Sequence, residues 1–237
     1  MIKKAKQLLK QYYGYDCFIK GQEQIIGSIL EGRDTFGIMP TGGGKSICFQ
    51  IPALIFSGVT LVISPLISLM KDQTESLDQL DISAKYINSS IDYLDVRKRI
   101  DDCRAGKYKL IYIAPERLES EDFRSLVQDL SIDLLAVDEA HCVSQWGHDF
   151  RPSYQWISSF IENLERRPTV AAFTATATEE VKNDVIRLLK LQAPNTFVTG
   201  FDRKNLYFSV QKGVGKKQFL LKYIEEHSNQ VGIIYAA

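Results

Sequence analysis

Apolar residues recur along this chain with two alternating periods. Ile2, Ala5, Leu8 and Leu9 at helical spacing predict an amphipathic helix over residues 3–12, ended by Gly14. A turn over 15–24 leads into a helix at 24–30. Strand-like and helix-like stretches then alternate: strand 35–39, helix 45–56, strand 60–64, helix 66–80, strand 84–87, helix 92–104 and strand 109–113. Further strands are expected at 134–137, 169–173 and, with an edge-like pattern, 196–199. Helices at 154–165 and 178–190 fall between them. Near-continuous apolar strands separated by helices indicate a parallel sheet covered on both faces, an α/β fold.

The pattern pauses over 200–205 and restarts as strand 206–210, helix 217–227 and strand 231–235. Residues 1–200 therefore read as one domain, and 201–237 as a linker with the incomplete beginning of a second. Two strands and one helix bury too little apolar surface to stand alone, so the chain is expected to be the front part of a longer protein.

Composition narrows the picture moderately. At 237 residues and 45% hydrophobic content, the chain can bury a substantial core. Lys and Arg total 29, as do Asp and Glu, so any nucleic-acid binding must come from a local patch and not from a global field. The lysines of the first helix could touch phosphates, although a solvated face is the more economical reading. Cys17, Cys48, Cys103 and Cys142 form no C-x-x-C pair, which argues against zinc and suits reduced thiols. No signal-peptide core and no run of eighteen apolar residues are present, so a soluble intracellular protein without a membrane partner is expected.

Chemistry concentrates in three stretches. Met39-Pro40-Thr41-Gly42-Gly43-Gly44-Lys45-Ser46 lies between a strand and a helix. Thr41 and the three glycines form a phosphate cradle whose backbone N–H groups and helix N-terminus attract an anion. Lys45 is suited to β/γ-phosphates and Ser46 to Mg²⁺. The strict P-loop pattern asks for Gly where Met39 stands. Asp138 and Glu139 end an apolar strand at the carboxyl edge of the sheet, where α/β ligand sites lie. Asp138 is suited to ordering Mg²⁺ and Glu139 to activating water, or the pair caps the next helix. The loop 142–152 carries Trp146, His148, Phe150 and Arg151, residue types that stack on unpaired bases and contact phosphate. Composition alone favours a satellite core for Trp146 and Phe150. Thr174 and Thr176 follow a strand and could bond the carboxylates at the neighbouring strand end. Tyr15 and Gln22, upstream of the cradle, suit a purine.

Taken together, the cradle, the Asp138-Glu139-Ala140-His141 box, the Thr174-Ala175-Thr176 turn and the aromatic loop resemble superfamily 2 helicases, and specifically the RecQ family of DNA helicases. The segments 61–66, 70–73 and 114–118 are similar to further family motifs. The resemblance implies a RecA-like P-loop domain with a mostly parallel sheet flanked by helices, plus the start of a second lobe. It further implies ATP and Mg²⁺ as cofactors, and single-stranded or partly duplex DNA and the remaining helicase domains of a longer chain as partners. Tyr15 then stacks on adenine and Gln22 reads its edge. Lys45, Asp138, Glu139 and His141 serve catalysis, Thr174 and Thr176 couple the sites, and Trp146, His148, Phe150 and Arg151 sense DNA. Ile19 replaces the family's usual arginine. An RNA helicase and a single-lobe nucleotide-dependent binding module are the competing readings.

Overall fold

The computed structural model describes residues 1–128, 130–199 and 206–235. The chain divides into two compact units, Met1–Phe201 and Asp202–Ala237. In the first unit lie strands β1 (Thr35–Ile38), β2 (Val59–Ile63), β3 (Ala84–Ile87), β4 (Leu110–Ile113), β5 (Ile132–Val137), β6 (Thr169–Thr174) and β7 (Asn195–Val198). They form one seven-stranded sheet in the order β3-β4-β2-β5-β6-β1-β7. Every pairing is parallel, as the apolar runs require.

Alternate residues of each strand feed two apolar layers. Val62, Tyr112, Ala136 and Phe173 point to one face and are covered by α1 (Ile2–Leu8), α2 (Gln22–Leu30), α3 (Lys45–Ile55) and α4 (Ile67–Gln79). Leu61, Ile111, Leu135 and Ala172 point to the other. There they meet α5 (Tyr93–Arg104), α6 (Glu121–Gln128), α7 (Trp156–Glu162) and α8 (Glu179–Leu188). A slip of one residue in any strand would exchange its two faces, so burial on both sides fixes the register.

Several boundaries differ from the sequence expectation for identifiable reasons. The first helix continues past Leu8 as a π-helical turn, Leu9–Tyr13, and stops at Gly14 with φ 75°. Helix α2 starts at Gln22, two residues early, because Gly21 takes a left-handed φ of 93° and turns the chain into it. Helix α6 was not anticipated. Its signal is Ser120, whose Oγ accepts from Phe123 N, ahead of the buried pair Phe123 and Val127. Pro152 opens a 3₁₀ turn, Pro152–Gln155, that delays α7.

At the amino-terminal edge of the sheet, the buried Asp34 carboxylate accepts from Val170 N at 3.0 Å and Gln192 N at 2.7 Å, and from both terminal nitrogens of Arg167. It is 3% exposed, and four donors offset the cost of burying its charge.

The second unit, described by itself, contains α9 (Lys216–Glu226). The strands expected at 206–210 and 231–235 do not form, and both segments are exposed. Apolar periodicity supplies a candidate strand, but a ladder needs a neighbour, and none exists among the described residues of this unit. The boundary expected over 200–205 lies outside the described residues.

Candidate active site

All three chemical stretches emerge at the carboxyl edge of the sheet. Met39 extends β1 by donating its N–H to Thr174 O at 2.9 Å. Its side chain is fully buried, with Sδ 3.8 Å from Cys48 Sγ. It therefore faces the core and leaves the cradle to the glycines, which accounts for the departure from the strict pattern. Gly42 and Gly44 have φ of 77° and 70°. Gly43 N bonds Pro40 O at 2.8 Å, closing a tight turn. A Cβ on Gly43 would come within 2.8 Å of that same oxygen. Gly44 is the N-cap of α3 and no side chain caps the helix, so first-turn N–H groups are left for an anion.

Gln22 closes over this cradle. Its Nε2 donates to Gly44 O at 3.1 Å and its Oε1 accepts from Ile19 N at 3.0 Å. It is buried, whereas Tyr15 is 59% exposed. Lys45 reaches across to the β5 end, with Nζ 3.9 Å from Glu139 Oε1. Ser46 stands in the first turn of α3.

Asp138 N bonds Ile63 O at 2.9 Å, and Asp138 O accepts from Tyr154 Oη at 2.8 Å, so backbone contacts lock the strand end on both sides. Glu139 then takes a left-handed backbone, φ 46°, and its N–H donates to Asp138 Oδ1 at 3.0 Å. The helix-cap reading does not hold, because Glu139 makes no side-chain cap to the 3₁₀ turn that follows. Burial, followed by the neighbouring Glu139 charge, raises the Asp138 carboxyl to about 6. The His141 hydrogen bond, and then Lys45, hold Glu139 below its ordinary value. A carboxylate supplies hard oxygen donors, the ligand type that Mg²⁺ takes.

His141 links the carboxylates to two other segments. Its Nδ1 lies 2.9 Å from Thr174 Oγ1 and 3.3 Å from Glu139 Oε2. Thr174 Oγ1 donates to Thr176 O at 3.0 Å, so the proton shared with His141 is assigned to Nδ1. On its face His141 stacks on His148, with centroids 4.0 Å apart and planes at 19°. His148 is exposed and belongs to the aromatic loop.

That loop is not a satellite core at its centre. Trp146 is 76% exposed and its backbone is held by Ser144 Oγ, which itself bonds Asp184 on α8 at 2.7 Å. Trp146, His148, His141 and Thr176 line a cleft of about 390 Å³. Phe150 is half-buried. Arg151 is largely engaged within the protein, its guanidinium binding Asp149 at 3.1 Å and Pro65 O at 2.8 Å. Sequence reasoning missed the roles of Ser144, within the loop, and Tyr154, just after it, whose only signal was that position. Among the described residues, no group of three or more His, Cys, Asp and Glu could hold a metal ion, and no helix is long and apolar enough to cross a membrane.

One edge of the parallel sheet thus carries the glycine turn, the adjacent carboxylates Asp138 and Glu139, and His141 between Glu139 and Thr174. The chain belongs to the DEAD/DEAH box helicase family, whose profile matches residues 19–184. Within that class, the RecQ resemblance read from the motifs is borne out. The chain is 49% identical over 238 residues to the ATP-dependent DNA helicase RecQ of Bacillus subtilis (strain 168), covering 100% of this chain and 40% of that protein. It is also 41% identical over 236 residues to a putative ATP-dependent RNA helicase of Acanthamoeba polyphaga mimivirus, covering 98% of this chain and 42% of that one. The chain thus spans about 40% of the length of these relatives. Among solved structures, the Pyrococcus furiosus Hef helicase domain superposes with a TM-score of 0.59 at 20% identity, over 75% of this chain and 38% of that one. That likeness concerns the fold.

Proposed function

We propose that this chain is the ATP-binding part of an ATP-dependent 3′-to-5′ DNA helicase, with residues 1–200 as its first RecA-like domain and the remaining helicase domains on a longer chain. The observation that carries the reading is the link from Lys45 through Glu139 and His141 to His148, which joins the cradle to the exposed aromatic loop through contacts of 3.9, 3.3 and 4.0 Å.

In this reading Tyr15 stacks on adenine and Gln22 reads its edge. The cradle residues 41–44, with the Gly43 N–H kept on Pro40 O, and Lys45 hold the phosphates, so Lys45 leaves Glu139 as it turns to the γ-phosphate. Ser46 and Asp138 would hold Mg²⁺, which would supply charge neutralisation at the phosphates. Glu139, released from Lys45 and kept ionised by His141, orients the attacking water and takes its proton. His141, Thr174 and Thr176 relay the state of the carboxylate to the loop. Trp146, His148 and Phe150 meet single-stranded DNA, while Arg151 reaches phosphate only as far as its hold on Asp149 and Pro65 allows. The protein acts inside the cell, where ATP and DNA are found.

An arginine finger from a second lobe contributes about 10³ to 10⁵ in rate in related hydrolases, so this chain alone is expected to bind nucleotide weakly and turn over slowly. The test is ATP turnover by this chain and by the longer protein, each without nucleic acid, with single-stranded DNA and with RNA. DNA-stimulated turnover by the longer protein supports the proposal. Stimulation by RNA alone would favour the RNA helicase, and nucleotide binding without turnover in the longer protein would favour a binding module. Fast DNA-stimulated turnover by this chain would overturn the division of labour.

A further inference from the structure

A line of polar side chains crosses the apolar layer beneath the cradle, and none of them belongs to the site described above. Tyr13 Oη donates to Gln50 Oε1 at 2.9 Å, Gln50 Nε2 to Tyr112 Oη at 3.0 Å, and Tyr112 Oη to Gln73 Oε1 at 2.9 Å. The four residues come from four separate elements: the π-helical turn after α1, then α3, β4 and α4. Phe49 lies edge-on to Tyr112 with ring centroids 6.5 Å apart and Leu77 lines the same cleft as Gln50, and Gln50 and Tyr112 are 5% and 1% exposed. Burial pushes both phenols up, which keeps them protonated as donors. The donors all run in one direction, so each bond polarises the next, and losing any link strands a buried partner.

Gln50 lies four residues beyond Ser46 on α3, on the same face and one turn away. Ser46, Tyr13, Gln50, Asp72 and Gln73 line a single cleft of about 250 Å³. The helix between has two soft points. Its N-terminus carries no side-chain cap, and Pro52 inside it removes a ladder hydrogen bond. Side-chain contacts must therefore set how its first two turns are oriented, and Gln50 is the polar contact on the face of Ser46. At the outer end, the π-helical turn inserts an additional residue per turn and directs Tyr13 onto α3.

We propose that Gln50, held by Tyr13 and, through Tyr112, by Gln73, is a positioning residue: the relay fixes the first turns of α3 so that Ser46 meets the Mg²⁺ of a bound nucleotide, and ties that geometry to α4 and the N-terminal segment. The inference rests on the reading of the cradle as an ATP site. Tyr13→Phe and Gln73→Leu break the outer links while leaving Gln50, the cradle and most side-chain volume intact. The affinity of the whole chain for a fluorescent ADP, with and without Mg²⁺, is measured for wild type, both variants and the double variant, beside their melting temperatures. Each single variant is expected to weaken Mg²⁺-dependent binding about three- to tenfold, with Mg²⁺-free binding unchanged. The double variant should lose little more than either single one, since one broken link already opens the chain. Lowered melting temperatures with unchanged Mg²⁺-dependent affinity make the line a structural tie only and overturn the inference, as do additive losses. A wild type that binds no nucleotide overturns the proposed function and the inference with it, whereas variants that bind like a competent wild type overturn the inference alone.

Discussion

Alanine substitutions along the cradle separate backbone strain from the loss of one specific contact. Gly42 and Gly44 both have left-handed φ, 77° and 70°, and a side chain in that region costs about 1–2 kcal/mol. An added Cβ on Gly42 meets nothing within 4 Å, whereas on Gly44 it falls 2.3 Å from Gln22 Nε2. Gln22 must then swing aside and give up its bonds to Gly44 O and Ile19 N, at about 0.5–1.5 kcal/mol each. At Gly43 the obstacle is the backbone oxygen of Pro40, which cannot swing aside, so the turn itself must open. For a chain of this size about 2–4 °C of melting temperature corresponds to 1 kcal/mol. Gly42→Ala should thus lower the melting temperature by about 2–8 °C on those figures, and Gly44→Ala by roughly twice as much. Thermal melts and fluorescent-ADP titrations read both effects. The decisive comparison is Gly44→Ala in a Gln22→Ala background, where it should cost no more than Gly42→Ala. Equal shifts at Gly42 and Gly44, or no relief in that background, would refute the reasoning.

Three further outcomes follow from the site. Asp138→Asn removes a buried charge whose folded pKa, about 6, lies above its unfolded value, so the ionised form costs stability above pH 6 and the cost fades as pH falls toward 4. The variant should therefore melt higher at pH 7.5, with an advantage that shrinks on acidification, while Mg²⁺-dependent nucleotide affinity falls; a lower melting temperature at pH 7.5 would refute this. Glu139→Gln should retain Mg²⁺-nucleotide binding and abolish hydrolysis in the longer protein, and retained turnover would assign the base elsewhere. Trp146→Ala, at a residue 76% exposed, should change stability by no more than about 0.5 kcal/mol and leave nucleotide affinity intact. It should also remove DNA stimulation of ATPase in the longer protein, and equal loss of basal and stimulated activity would count against the loop's role.

Much of the first unit was legible because its strands are apolar on both faces and its helices on one, and because the cradle and the carboxylate box are contiguous in sequence. Contacts between distant segments were harder to foresee. Met39 broke a pattern in the sequence, yet its side chain turns into the core against Cys48, a direction that loop spacing alone does not specify. Trp146 looked like core material by composition, because an exposed tryptophan and a buried one have the same letter. Arg151 looked free for phosphate, and only folding brings Pro65 O to its guanidinium. The strands expected at 206–210 and 231–235 failed for the opposite reason, since local pattern was present and the pairing partner was not. The four-residue relay left no trace in spacing, its members being 37, 62 and 39 positions apart from link to link.

Asp34 stands at the foot of the sheet, while the chemistry stands at its top. One carboxylate there receives the start of β6 and the segment entering β7, and it directly precedes β1. Over the five residue steps from Asp34 to Met39 the chain climbs about 16 Å, so the level at which the cradle meets Thr174 and the end of β7 is set from the far side. Asp34 acts as a datum from which three neighbouring strands are measured. A variant there, remote from any ligand, would be read out as misaligned heights at the working edge, much as a surveyor's error at the base of a tower appears at its summit.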